Sequence, residues 1–240
     1  MKIAVQLYSI RDGINSGEDM LEALGKVKAL GYDGVEFAGY FGLSAETLRA
    51  RLDELGLKCV GSHLGLDDYK PENLEKTYEF AKTLGTPQIG VGGAAHDTVE
   101  ECEATGSVLG AAEKVLAERG INVYYHNHSG EFTPLEDGRT ATDIIKGYCH
   151  LQIDTYWSFH AGMDNYKLIT ENKDRIVSIH LKDGVDGTPC ALGEGQNNIP
   201  EVIRAVKDCG IDWVVVENDD PVPDGISDIG RSIKYLKSII

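Results

Sequence analysis

Residues Ile121–Phe132 read INVYYHNHSGEF. The run opens on apolar, β-branched and aromatic residues, the composition of a buried strand. It then delivers His126, Asn127, His128 and Glu131 within a few positions. A strand ending in two imidazoles and a carboxylate aims polar groups at a common place. The plainer reading is a strand end whose histidines are satisfied by backbone partners. Three later runs end the same way and weigh against it: LQIDTYW with Asp154, IVSIHLKD with His180, Lys182 and Asp183, and WVVVEND with Glu217 and Asp219.

Similar apolar runs precede this one at Met1–Ile10, Tyr32–Phe37, Lys58–His63 and Gln88–Gly93. Further strands are expected at Leu151–Asp154, Ile176–Lys182 and Trp213–Glu217. Between them lie stretches with helical spacing and terminal signals. Glu18–Leu30 stops at Gly31, a second helix opens at Ser44 and ends at Gly56, and Pro71–Leu84 carries proline in its first turn. Thr98–Arg119, Thr140–Lys146, Asn165–Asn172, Pro200–Cys209 and Ile229–Ile239 complete the set. Eight strands thus alternate with eight helices at about 25–35 residues per unit, the βαβ size. In a 240-residue chain this predicts an α/β fold, a closed (β/α)8 TIM barrel forming one domain over residues 1–240. No GxGxxG follows the first strand, which removes the main dinucleotide signal.

The net charge is −16, the wrong sign for sequence-independent binding to nucleic acid or to an anionic membrane. No apolar run has the length of a membrane span, and the start, MKIAVQLYSIRDG, lacks the features of a secretory leader. Five scattered cysteines without a CxxC pair read as reduced thiols. The expected location is therefore the cytoplasm.

In a (β/α)8 barrel the active site lies at the C-terminal strand ends. Those ends carry Gln6 and Tyr8, Glu36, His63, Gly92–Gly93, the His126–Glu131 group, Asp154, His180 with Lys182, and Glu217. So many buried acids and imidazoles need a partner. A divalent cation supplies one, and a mixed Asp/Glu/His set without cysteine suits Mn²⁺, Mg²⁺, Co²⁺ or Zn²⁺. Several residues also have plainer readings. Glu36 can be a paired core carboxylate, His63 a satisfied core histidine, and Lys182 a salt bridge to Asp183 or Glu217. Trp157 reads as a pocket wall, and Glu194 as either a substrate contact or a solvated loop acid.

The motifs GYDGVEF (31–37), YHNHSGEF (125–132), QIDTYW (152–157), HLKD (180–183), GEG (193–195) and VVEND (215–219) together resemble the xylose isomerase-like barrel family of sugar isomerases and epimerases. That family also holds inosose dehydratases and a DNA repair endonuclease type. The resemblance covers almost the whole chain. It implies one divalent metal, Mn²⁺ foremost, held by Glu, Asp, His and Glu from strands five to eight. Strands six to eight map to Asp154, His180 and Glu217. On strand five the usual Glu position holds His126, and the fourth ligand is expected to be Glu131 in preference to His126. Trp157 stands where ketose 3-epimerase-like members have histidine.

The resemblance implies a metal-dependent isomerase or epimerase acting on a small, optionally phosphorylated, keto or aldo sugar through an enediolate. Glu131 and Glu217 would form the acid/base pair, with Lys182 as a further catalytic group. Glu36, His63, His126, His128, Trp157 and Glu194 would bind substrate. The rival enzyme reading shares the first proton transfer but ends in elimination, as in a dehydratase of keto-inositols or a lyase of 3-keto-glycosides. A non-catalytic sugar-binding barrel is a different class, distinguished by binding without turnover. The nuclease is disfavoured by charge. Barrels of this sort associate often enough that a homo-oligomer is also expected.

Overall fold

Alternation along eight short strands divides the chain between a lumen and an outer wall. The computed structural model spans residues 1–240. The strands are β1 (Lys2–Gln6), β2 (Gly34–Ala38), β3 (Lys58–His63), β4 (Gln88–Val91), β5 (Asn122–His126), β6 (His150–Asp154), β7 (Ile176–Leu181) and, after a small hairpin, β10 (Trp213–Val216). They close in the order β1-β2-β3-β4-β5-β6-β7-β10, every neighbour parallel. This is the expected (β/α)8 barrel.

Outward-facing Val5, Val35, Phe37, Ile153, Ile179 and Val214 pack in one large core with residues of the surrounding helices. These helices include α1 (Gly17–Leu30), α2 (Ala45–Leu55), α7 (Asn165–Glu171), α8 (Ile199–Asp208) and α9 (Gly225–Ile239). A second core joins Ile89, Val91, Val123 and Tyr125 to α3 (Pro71–Leu84), α4 (Val99–Ala117) and α5 (Ala141–Ile145). Ser44 caps α2 through its side chain, and Gly31, Gly56 and Gly85 end α1, α2 and α3 in the left-handed conformation. No helix is long and apolar enough to cross a membrane.

Three segments depart from expectation. The first strand stops at Gln6, and Leu7–Gly13 forms a 3-10 helix whose start is capped by the Gln6 side chain. After β6 the chain enters α6 (Thr155–His160) directly, followed by α7 (Asn165–Glu171). The glycine-rich stretch after β7 is partly ordered as the hairpin β8 (Asp183–Val185) and β9 (Thr188–Cys190). Asp183 organises it: its two oxygens accept from the backbone N–H groups of Gly184, Gly193, Gly195 and Asn197 at 2.9–3.1 Å.

The lumen is filled in layers. Near the N-terminal end Ala4, Val60 and Val215 pack together with Trp213 against them. Above them come polar side chains. Gly61 and Gly90 make room there, since a Cβ at Gly90 would overlap the Tyr124 ring and one at Gly61 would crowd both Tyr124 and Glu36.

Candidate metal centre and substrate pocket

Strand register places the polar layer. Gln6 lies beside Glu36, His126 beside Gln152, and Asp154 beside His180. Glu36 sits lowest and is fully buried. It accepts from Gln6 Nε2 at 2.9 Å, from Gln152 Nε2 at 2.7 Å, and from the Tyr124 hydroxyl and His180 Nε2. Burial pushes its pKa up, but the His63 and His180 rings and these donors outweigh burial and hold it at about 2. Its oxygens are occupied by partners beneath the pocket, so the paired-carboxylate reading describes Glu36, and it does not line the substrate space.

Gln152 sets the tautomers above it. Its Nε2 donates to Glu36 and, at 2.8 Å, to Ser178 Oγ, so its oxygen is the acceptor. That oxygen takes hydrogen bonds from His63 Nε2 at 2.8 Å and His126 Nδ1 at 3.1 Å. Burial drives the His126 pKa well below its ordinary value, so the ring is neutral. With hydrogen on Nδ1, its Nε2 carries a lone pair, and that atom lies 3.9 Å from Asp154 Oδ2.

Asp154 divides its two oxygens. Oδ1 caps α6 by accepting from the N–H groups of Tyr156 and Trp157, both at 2.9 Å. Oδ2 is buried without a hydrogen-bond partner. Lys182 Nζ stands 2.9 Å from it, close enough for ionic attraction but not aligned for a hydrogen bond. His180 gives Nε2 to Glu36 and presents Nδ1 to Glu217 Oε2 at 2.8 Å. Burial opposes charge on this ring, but Glu217 and Glu36 raise its pKa to about 10.

His126, Asp154, His180 and Glu217 each offer one atom within 4.8 Å of the others, and all four are buried. Asp154 Oδ2, which has the Lys182 charge beside it but no hydrogen bond, the free His126 Nε2 and the absence of thiolates fit a divalent cation. Glu36 beneath His180 is the outer carboxylate such a ligand needs to fix its ring. Lys182, also fully buried, is tied to Glu217 at 2.8 Å and Asp219 at 2.7 Å, with the Trp157 ring 5.5 Å away. Its charge is kept despite burial by Asp154, Glu217 and Asp219.

Glu131, expected as a ligand and an acid/base group, lies elsewhere. β5 ends at His126, and a short 3-10 helix, Gly130–Phe132, carries Glu131 behind the strand. There it accepts from the hydroxyl of outward-facing Tyr125 at 3.0 Å and from the His128 backbone N–H at 2.9 Å. His96 Nε2 is 3.7 Å away and His128 Nδ1 3.9 Å. His126, inward by strand parity, takes the place in the cluster. Glu194 is also remote: it forms an exposed ion pair with Arg231 at 2.7 Å.

A pocket of about 380 Å³ opens above the cluster, lined by Tyr8, Ala38, His63, Gly92, His126, His128, Glu217 and Asp219. Of the residues expected to bind substrate, His63, His126 and His128 reach it. Trp157 stands just outside, its Nε1 donating to Asp219 Oδ2 at 3.3 Å. Gln152 and Asp219 were not singled out from the sequence as site residues. Gln152 follows from parity, two positions before Asp154 on the same face of β6, whereas Asp219 lies in the bend beyond β10, which ends at Val216.

With this geometry in view, the family profile described as xylose isomerase-like TIM barrel matches residues 24–239. The chain belongs to that family. A curated relative, an inosose dehydratase from Geobacillus kaustophilus (strain HTA426), is 27% identical over 188 residues, which are 68% of this chain and 61% of the relative. The chain thus matches less than two thirds of that relative's length. Among solved structures, a sugar phosphate isomerase/epimerase from Parabacteroides distasonis ATCC 8503 superposes with a TM-score of 0.81 at 22% identity, over 99% of this chain and 94% of that one. An L-ribulose 3-epimerase gives 0.78 at 14% identity, over 99% and 93%. At these identities the two structures speak for the fold alone.

Proposed function

We propose that this protein is a divalent-metal-dependent enzyme that moves a proton next to the carbonyl of a small sugar, isomerising or epimerising it. The His126–Asp154–His180–Glu217 cluster beneath an open pocket carries the reading. Manganese is the foremost candidate ion. When bound, the ion supplies Lewis acidity toward a carbonyl and a neighbouring hydroxyl, which favours loss of the adjacent C–H proton. Glu217 is the buried carboxylate that borders the pocket, and it takes that proton. His128, with 43% of its side chain exposed, stands at the pocket rim beside Glu131 and returns a proton. His63 gives Nε2 to Gln152 and keeps Nδ1 as an acceptor for a sugar hydroxyl. Lys182 holds Asp154, Glu217 and Asp219 in place and touches no pocket surface.

The dehydratase relative favours a second outcome of the same proton removal: loss of a β-hydroxyl as water rather than reprotonation. Five unpaired cysteines support a cytoplasmic protein. The test joins elemental analysis to product mass. Purified protein should hold about one equivalent of divalent metal, following the single-site reading. An Asp154→Asn/His180→Ala double variant should hold none. Products of keto-sugars and cyclic polyol ketones should keep the substrate mass if the enzyme isomerises and lose water if it eliminates. No metal after incubation with Mn²⁺ would sink the mechanism.

A further inference from the structure

A second hollow, of about 450 Å³, adjoins the substrate pocket, and His63 lines both. Its other walls come from the segments following β2 and β3. Tyr40 and Phe80 stack on each other with centroids 4.2 Å apart, forming an apolar side. Asp68, Asn73 and Lys76 line the same hollow. Each has hydrogen-bonding capacity to spare. Asp68 spends Oδ2 on the Gly65 N–H, and Asn73 spends its amide N–H on the Asp67 carbonyl. Lys76 has no ion-pair partner within 4.0 Å. None of these groups serves the proton transfer proposed above.

An aromatic face with adjacent donors and acceptors suits a ring carrying hydroxyls, whose C–H face packs on the aromatics. A phosphate fits poorly, because the one lysine is offset by the Asp68 carboxylate in the same wall. We infer that the substrate has two parts: a keto-sugar ring over the metal cluster and a second, uncharged sugar unit held between Tyr40–Phe80 and Asp68, Asn73 and Lys76, with His63 at the junction. The protein then acts on a glycoside of disaccharide size, not on a sugar phosphate. This rests on the proposed reading of the metal cluster and narrows its substrate class.

The experiment is calorimetric titration of the full chain, loaded with Mn²⁺, with D-fructose, three ketose disaccharides (turanose, lactulose and isomaltulose) and D-fructose 6-phosphate. At least one disaccharide should bind about tenfold or more tighter than D-fructose, and the phosphate should gain nothing. Phe80→Ala should remove that advantage while leaving D-fructose affinity unchanged. Asn73→Ala and Lys76→Ala, at half-buried and exposed positions of α3, should each remove part of it. Fructose binding without any disaccharide advantage overturns the inference alone. Tighter binding of the phosphate, lost in Lys76→Ala, also overturns it. Binding of no sugar at all overturns the metal-cluster reading, and the inference with it.

Discussion

The two ends of the barrel lumen are built from the same strands by opposite rules. At the N-terminal end Ala4, Val60 and Val215 meet Trp213 in a small apolar plug. Toward the C-terminal ends of the barrel strands stand Gln6, Glu36, Gln152, Asp154, His180 and Glu217, all buried. The plug is stabilised by area removed from water. The polar layer instead pairs its groups with named partners, and the one oxygen among these residues without a hydrogen bond, Asp154 Oδ2, has the Lys182 charge 2.9 Å away. A packed interior tolerates such a layer when nearly every group is paired.

The contrast can be broken experimentally. Glu217→Gln keeps the shape of the side chain but removes the base. It should lower turnover by about 10³-fold, within the 10²–10⁴ range for general base loss. Val215→Ala, two positions earlier on the same strand face, should leave turnover unchanged. Steady-state kinetics with a substrate identified by product mass decides, and equal losses in both variants would erase the distinction between the layers.

Next in size is Glu36→Ala. It strips His180, Gln152, Gln6 and Tyr124 of a shared acceptor, and stability in denaturant should fall by about 3–5 kcal/mol, the usual penalty for breaking a buried charged network. Metal affinity, read by titration against a fluorescent chelator, should weaken about 10–100-fold through loss of the His180 support. Unchanged metal affinity would show that Glu36 serves only the core.

Val215→Ala sharpens the comparison from the other side. It should cost about 2 kcal/mol through lost methyl burial and a residual void, with full metal retained. Smallest of all, Glu194→Gln should change stability by less than ~1 kcal/mol and leave sugar binding alone, since its ion pair with Arg231 is exposed. A marked loss of sugar affinity in that variant would return Glu194 to the site.

The barrel was legible in the sequence because its signals are local. Alternating runs, a serine cap at Ser44 and glycines at Gly31, Gly56 and Gly85 each act within one element. Asp154, His180 and Glu217 were legible because they end strands whose inward parity is fixed. Glu131 was not, because its direction depends on how the chain turns after β5, and five residues of separation from His126 say nothing about which wall it faces. Glu194 misled for a related reason. Its glycine-rich loop folds onto Asp183, so the glycines serve that carboxylate rather than a ligand. The hollow beside Tyr40 and Phe80 joins two connecting segments, and no periodicity in either announces the other.

The divided carboxylate of Asp154 gives the molecule a built-in gauge. One oxygen belongs to the cluster, while the other grips the amides of Tyr156 and Trp157. Anything drawing electron density from the first oxygen weakens the grip of the second. The ¹⁵N chemical shifts of those two amides should therefore register site occupancy directly, in the resting protein, without turnover and before any substrate has been named.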